Sequence, residues 1–222
     1  MAIYKIFPYK DAAIYSYYPS MNSGMDAISE ISNVLTNGGT PDVARFLTQF
    51  NSTDIIDIID NKIQGVNWDV SFKSFIAEAQ GITQDHILEI YPIAQGWNNG
   101  TGEFLDSPET QNGVSWSSPL YSGSALWDMS GVVGTELFTG SYSDSYSSQG
   151  GGSWFYSGSG IPSYLVTQSF GLRSDKDLNI GVKTIVSQWY SSSIPNNGFI
   201  TKWDTPTEFS TSSSIQPILK YY

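Results

Sequence analysis

The chain has 222 residues, of which 40% are apolar and 14% aromatic, so it can bury the core of one large all-β domain or of two small ones. Charged residues make up only 14% and the net charge is −11, which argues against nucleic acid and anionic membranes as partners because phosphate groups need cationic side chains. The chain has no cysteine and one histidine, which excludes disulfides and zinc sites built from those residues.

Short runs of alternating apolar and polar residues, bounded by Pro, Gly, Asn or Asp, predict β-strands along most of the chain. Strands of this number and length are typical of an antiparallel β-sandwich. Pro92 indicates that one of them lies at a sheet edge or bends. In chain order, the predicted strands span 2–6, 13–17, 27–32, 44–50, 68–76, 87–93 and 178–180, followed by a turn that enters a strand within 196–203 and a last strand at 214–222.

Two segments have helical periodicity instead. Isoleucines at i, i+3 and i+4 spacing predict a short helix near 54–64, with N-cap candidates at 51–54 and a stop at Gly65. Val182, Ile185, Val186 and Trp189 fall on one helical face and predict a second helix near 182–190. No other helix is predicted.

Two stretches between the strands are rich in turn residues. The first, 97–116, is acidic and bracketed by Trp97 and Trp116, which are predicted core anchors together with Phe46 and Phe50. The second, about 117–172, is predicted to be an insertion rich in Ser, Gly and Tyr. It is interpreted either as a passive surface loop or as an aromatic contact surface for a neighbouring subunit or a sugar, formed by Tyr142, Tyr146, Trp154, Phe155 and Tyr156.

The sequence lacks the residue patterns of the common reaction classes. His86 is read as a loop or strand-edge histidine, because no Gly-x-Ser-x-Gly elbow supports a Ser-His-Asp triad. No phosphate-binding glycine motif is present. Glu103, Asp106 and Glu109 cluster in the 97–116 loop, but no feature marks one of them as the raised-pKa acid of a glycosidase. The protein is therefore not expected to be an enzyme, and no cofactor is expected.

Eight short motifs follow one another in an order that spans nearly the whole chain. They are an Asp-containing strand at 10–16, an Asn and Gly turn at 19–24, an Arg-hydrophobic-Phe strand at 45–50, Trp-x-x-Gly-Thr at 97–101, Gly-Val-x-Trp at 113–116, a valine-rich strand–helix at 182–189, Asn-x-Gly-Phe at 196–199 and a closing strand at 217–221. The series resembles the DNRLRE-type domain, a carbohydrate-binding-module-like β-sandwich of surface and structural proteins. It departs from that family where the usual Ser-x-Glu near the end is replaced by the serine-rich segment 209–214.

The resemblance implies an all-β, jelly-roll-like antiparallel β-sandwich over residues 1–222 as a single domain. Whether the natural chain continues past residue 222 is left open. Sandwiches of this type often bind calcium, so the resemblance implies a structural calcium site at Asp11, Asn22 and Asp26, and ordinary turn capping by these side chains is the alternative. The Ser-, Asn- and Thr-rich, cysteine-free style also resembles structural proteins of tailed phages.

These features predict a non-enzymatic structural protein of a virus particle, in its capsid surface, neck or tail. Its expected partners are other virion proteins and copies of itself, met through sheet edges, loops or the N-terminal arm. The first residues carry no secretion signal, which fits assembly in the host cytoplasm. The alternative is a carbohydrate-binding or adhesive module on an extracellular surface, with glycans as partners, and exposed tryptophans would favour it.

Overall fold

The computed structural model, which describes residues 2–64, 67–127, 150–155 and 163–222, has an all-β, sandwich-like fold. The strands are β1 Lys10–Tyr15, β2 Ser29–Leu35, β3 Pro41–Gln49, β4 Ser71–Ser74, β5 Ile76–Gln80, β6 His86–Pro92, β7 Val166–Phe170, β8 Leu178–Gly181, β9 Phe199–Trp203 and β10 Ile218–Tyr221. The helices are α1 Ser52–Asp57, which continues as a π-helical turn Ile58–Lys62, α2 Lys183–Tyr190 and the single turn α3 Thr205–Glu208.

One large antiparallel sheet organises the molecule. Its strands follow the order β5-β10-β2-β3-β9-β6-β7, and β1 pairs with β3 outside this path. Strands β4 and β8 form a separate two-stranded sheet. Most neighbours in the large sheet are distant in sequence, so its assembly depends on contacts between remote segments of the chain.

The large sheet buries both of its faces. Successive side chains of a strand point to opposite faces, and Phe46, Leu88 and Phe199 accordingly lie on one face while Leu47 and Ile200 lie on the other. The first face packs against the helices and the β4–β8 sheet. The second face is covered by a layer of loops from 97–127 and 150–155, whose buried indoles are Trp97, Trp116, Trp127 and Trp154. The acidic loop 97–116 is therefore one layer of the core.

Most of the predicted elements are confirmed, and the differences have physical causes. Residues 2–8 form neither helix nor strand, although alternation at 2–6 predicts a strand. The chain bonds to β3 only from Tyr9 onward, so the preceding residues have no neighbouring strand. The predicted strand 68–76 contains β4 but only the first residue of β5, because the chain passes at Phe75 from one sheet into the other. Strand β7 and helix α3 are not predicted from the sequence, because both are short and weakly periodic.

Pro92 is not in an edge strand, because β6 lies between β9 and β7. It is the last residue of β6, and β7 pairs only with residues 86–90. The carbonyl of Pro92 accepts a hydrogen bond from the Phe155 amide at 3.0 Å. The backbone nitrogen of Pro92 points to the same side of β6 as its carbonyl, at a position beyond the end of β7. Its missing N–H therefore removes no hydrogen bond between β6 and a neighbouring strand.

The stretch 117–172 is predicted to be a surface insertion, but its described parts contribute to the core and to the large sheet. Trp127, Trp154 and Tyr164 are buried, and β7 belongs to the large sheet. Phe46, Trp97 and Trp116 are buried as predicted, and Phe50 is partly buried against the core of the first face.

Candidate interaction surface

The second face of the sheet contains a buried cluster of four charged side chains. The Arg45 guanidinium donates hydrogen bonds from Nε and a terminal nitrogen to the two oxygens of Glu208, at 2.7 and 2.8 Å. Lys202 Nζ lies 3.0 Å from a Glu89 oxygen and 3.7 Å from a Glu208 oxygen. Arg45, Lys202 and Glu208 are at most 1% exposed, and Glu89 is 15% exposed.

This buried charge cluster is sealed by aromatic rings and loop backbone. The Arg45 guanidinium carbon lies 4.8 Å from the Trp116 ring centre and 5.3 Å from that of Trp154, and it also donates to the Gly151 carbonyl. Arg45 lies on a strand, Glu208 on α3 and Gly151 in the loop layer, so these bonds join the sheet to the segments that cover it. The charges of the cluster cancel, so the net charge of −11 is carried by the rest of the chain.

Sequence reasoning missed Glu89, Lys202 and Glu208 of this cluster, and Glu208 is the one that binds Arg45 directly. The family resemblance draws attention to Arg45 through its strand motif, but Glu208 lies 163 positions later and just before the serine-rich departure. Helix α3 presents it to the sheet, and Asn33 anchors that helix by donating hydrogen bonds to the carbonyls of Thr207 and Ser210. The only sequence signal is an acidic residue directly before the buried Phe209.

His86 is the buried first residue of β6, which lies inside the large sheet between β9 and β7, so it is not the loop or strand-edge histidine that the sequence predicts. Its Nδ1 lies 3.4 Å from the Thr207 hydroxyl, and its ring packs against Trp203 at 5.6 Å. Burial lowers the pKa of His86, and the nearby Asp204 and Asp85 oppose that effect only in part. The ring therefore contributes to the packing between β6, β9 and α3.

The three predicted calcium ligands are used as structural hydrogen-bonding groups. Asn22 is fully buried, and its amide nitrogen donates to the carbonyls of Asn99 and Val114 while its oxygen accepts the Gly102 amide at 2.8 Å. Asp26 accepts the Phe104 amide at 3.0 Å. Asp11 lies near the hydroxyl of Ser29, and burial raises its pKa. Asn22 thus fastens the loop layer to the start of the chain.

Tryptophan exposure is the feature expected to favour glycan binding, and the structure does not supply it. Six of the seven tryptophans are buried, and Trp68 is partly buried. Trp154, predicted as part of a contact surface, is 1% exposed and packs on Tyr91, and Phe155 is half-buried. The other three predicted contact residues, Tyr142, Tyr146 and Tyr156, lie outside the described residues.

The exposed apolar side chains of the described residues include two groups in very different settings. The first is the leading segment, residues 2–9, which precedes β1. Ile3 and Phe7 are 75% and 79% exposed, and Tyr4 and Tyr9 are also exposed. Ile6 alone packs against the core. The segment therefore presents four large apolar side chains to solvent, and at its last residue the Tyr9 amide donates to the Gln49 carbonyl of β3.

The second group is the aromatic loop patch, which we define as Tyr17, Tyr18, Met25, Phe104 and Leu105. Tyr18 makes edge contacts with Tyr17 and Phe104 at 5.1 and 5.9 Å, and Phe104 rests on the buried Tyr15 at 4.8 Å. The two loops that form the patch are joined by bonds from Met25 to Gly102 and from Phe104 to Asp26. Tyr17 is 60% exposed and Leu105 is 55% exposed, so the patch is accessible to a partner.

Carboxylates surround the aromatic loop patch. Burial raises the pKa of Asp26, and the negative charges of Glu103 and Asp106 add to this effect while the bond from the Phe104 amide opposes it. Burial also raises the pKa of Asp42, whose oxygen accepts the Tyr17 amide at 3.1 Å. No Lys or Arg occurs within either loop, at 16–28 or 102–110. The patch is an apolar surface with an acidic rim, which suits a partner that is apolar and cationic.

A third surface feature offers less specific chemistry. An open depression of about 480 Å³ lies beside the turn between β7 and β8, lined by Asp85, Ser169, Gly171, Leu172, Arg173 and Ser174. It is shallow and holds no nucleophile paired with a base, so we regard it as a surface contour.

Comparisons of the chain with protein-family models, with curated proteins and with solved structures found no match. The resemblance to the DNRLRE-type domain therefore stays a prediction from the sequence. Among the described residues, no three His, Cys, Asp or Glu side chains group in a way that could hold a metal ion. No helix in the described part of the chain has the length and apolar character needed to cross a bilayer.

Proposed function

We propose that this chain is a non-enzymatic structural protein of a virus particle and that it acts by protein–protein assembly. The observation that carries the proposal is the leading segment, which exposes Ile3, Tyr4, Phe7 and Tyr9 beside a well-packed sandwich. An apolar extension of this kind gains stability by docking on a neighbouring subunit, because its side chains then leave water. Its neighbours would be other virion proteins or copies of the same chain.

The charge distribution and the buried ionic groups support an assembly role. His86 and the buried charge cluster are enclosed in the core. What the described surface presents to a partner is therefore its exposed apolar side chains and carboxylates. The assignment to a virus particle rests on the stylistic resemblance of the sequence to structural proteins of tailed phages. Location in the virion and assembly in the host cytoplasm follow from that resemblance.

A carbohydrate-binding module is the second candidate, and the aromatic loop patch favours it. Tyr17 and Phe104 expose ring surface beside Asp26 and Glu103, and sugars stack on aromatic rings while carboxylates accept their hydroxyl hydrogens. The buried state of six tryptophans counts against this candidate. The carboxylates of Asp26, Asp42, Glu103 and Asp106 lie in or against the loops of the patch, which fits a cationic partner better than a neutral sugar.

The proposal is tested in a culture that produces the protein naturally. Particles are purified on a density gradient and their proteins are identified by mass spectrometry. We expect the chain in the particle fraction at a fixed ratio to the major capsid protein. Its presence only in the cell envelope or medium, with binding to a polysaccharide, would favour the carbohydrate module, and release of reducing sugar from a polysaccharide panel would overturn the non-enzymatic assignment.

A further inference from the structure

Building on the proposed assembly function, we propose that the leading segment of one copy docks on the aromatic loop patch of a second copy. The partner is thus another molecule of the same chain, bound through two different surfaces. Both surfaces expose large apolar side chains, and each has what the other lacks: the segment supplies a cation, and the patch supplies carboxylates beside aromatic rings that already pack on one another.

Charge complementarity selects the leading segment as the occupant of the patch. Residues 2–10 contain Lys5 and Lys10 and no carboxylate, although the chain as a whole has net charge −11. Lys10 already donates to the Trp97 carbonyl and lies over the Trp97 ring at 4.5 Å, whereas Lys5 is exposed. Lys5 sits between Tyr4 and Ile6, so an apolar contact by this segment brings its ammonium close to Asp26 and Glu103 at the rim.

Strand β1 separates the two surfaces within one molecule. The leading segment enters β1 at Lys10 and the patch begins just after β1 ends at Tyr15. Six extended residues cover about 20 Å, so the two surfaces lie at opposite ends of the strand. Ile6 holds the segment against the core near its own end. A contact between segment and patch therefore joins two copies head to tail.

Head-to-tail contacts have a defined consequence for assembly. Because the two surfaces are different, each copy that binds one neighbour keeps its other surface free for the next. Such a heterologous contact builds a ring when the rotation between copies closes and a filament when it does not. An eight-residue segment buries less than the roughly 1,200 Å² of a stable interface, so one contact is weak and association rises with concentration.

The first experiment is a complementation test by sedimentation at protein concentrations up to about 1 mM, where weak contacts are populated. The segment variant carries Lys5→Glu and Phe7→Ser and keeps an intact patch. The patch variant carries Tyr17→Ser and Leu105→Asn and keeps an intact segment. All four side chains are exposed, so both variants should fold. Phe75→Ser, at another exposed phenylalanine, is the matched control and should associate as the wild type does.

We expect the wild type to form species larger than dimers, each variant alone to stay monomeric, and their mixture to form a one-to-one dimer and nothing larger. If segment bound segment, or patch bound patch, mixing the two variants would not produce a one-to-one dimer of them. A mixture that stays monomeric therefore overturns the proposal. Wild-type-like association of either variant alone also overturns it.

The second experiment locates the contact directly. A peptide of residues 2–10 is titrated into the segment variant, and the backbone amide signals are followed by NMR. We expect shifts confined to residues 17–26 and 102–106, and at least tenfold weaker binding by the same peptide with Lys5→Glu. Shifts elsewhere, or shifts of these signals by oligosaccharides and not by the peptide, would overturn the proposal.

The two proposals fail separately. A wild-type chain that stays monomeric at about 1 mM but is found in particles loses the head-to-tail contact and keeps the assembly function. A chain that associates through segment and patch but is absent from particles keeps the contact and loses the virion assignment.

Discussion

Replacing Arg45 by methionine tests the role of the buried charge cluster most directly. Methionine keeps much of the side-chain volume between Trp116 and Trp154 but removes the guanidinium. Glu208 then loses both hydrogen bonds, at 2.7 and 2.8 Å, and its remaining cation, Lys202, lies 3.7 Å away. Because Glu208 is fully buried, its charge is left without adequate compensation.

The expected loss of stability can be estimated in two ways. Removing one partner of a buried ion pair costs about 3–5 kcal/mol. Two hydrogen bonds to a charged group, at about 1.5–3 kcal/mol each, give about 3–6 kcal/mol. We therefore expect Arg45→Met to lower the free energy of unfolding by about 4 kcal/mol. With a urea m-value of about 3 kcal/mol/M, at the upper end of the usual range, the unfolding midpoint falls by more than 1 M.

Equilibrium urea unfolding, followed by tryptophan fluorescence, measures this loss. Arg45→Met combined with Glu208→Gln should lose less than the sum of the two single variants, because the double variant leaves no uncompensated charge at this pair. Lys220→Met is the control: Lys220 pairs with Glu78 at 2.9 Å but is one-third exposed, so it should cost no more than about 1 kcal/mol. A loss below about 1 kcal/mol for Arg45→Met would refute the reasoning.

Four further results are expected. Trp97→Ala should lower the free energy of unfolding by about 3–5 kcal/mol because the indole is buried in the loop layer, whereas a loss below about 1 kcal/mol would show a surface residue. Asn22→Ala should cost about 2–5 kcal/mol in the same urea assay, since it leaves buried backbone groups of three residues unpaired, and a neutral result would contradict that role. Burial lowers the pKa of His86, so on acidification the unfolded chain takes up a proton before the folded chain does, and the free energy of unfolding falls as the pH drops below about 6.5. His86→Gln should make the free energy of unfolding depend less on pH between about pH 7.5 and 5.5. An unchanged pH dependence would contradict this role of His86. Replacing EDTA by calcium should leave the melting temperature unchanged, because the Asn22 oxygen already accepts the Gly102 amide, and a rise of several degrees would restore the predicted calcium site.

Local patterns in the sequence predict most of the strands and two helices. The strands predicted at 44–50 and 87–93 match β3 and β6, because the two-residue alternation of side chains between opposite faces is a property of the strand itself. Helix α1 begins after Asn51, whose side chain accepts the Thr53 amide at 2.8 Å as an N-cap. Alternation fails at residues 2–6, because a strand also needs a neighbouring strand to bond with, which the sequence pattern does not report.

The candidate interaction surface is only partly readable from the sequence. The sequence shows that the leading segment is apolar, but only the structure shows that its side chains are exposed. The aromatic loop patch joins Tyr17 to Phe104 and Leu105, which are more than eighty positions apart and meet only because Asn22 and Asp26 fasten one loop to the other. Trp154 is misread for the same reason, since its neighbours decide whether an indole is covered.

The sequence by itself determines the strand-rich character, the two longer helices and the acidic charge, because each depends on residue type and on spacing within a few positions. Only the tertiary structure decides that the 97–116 loop covers a sheet face, that Arg45 meets Glu208, and which aromatic rings remain in water. These depend on the order in which strands pair and on which loop covers which face. Burial is set by contacts between residues far apart in the chain, and local periodicity carries no record of them.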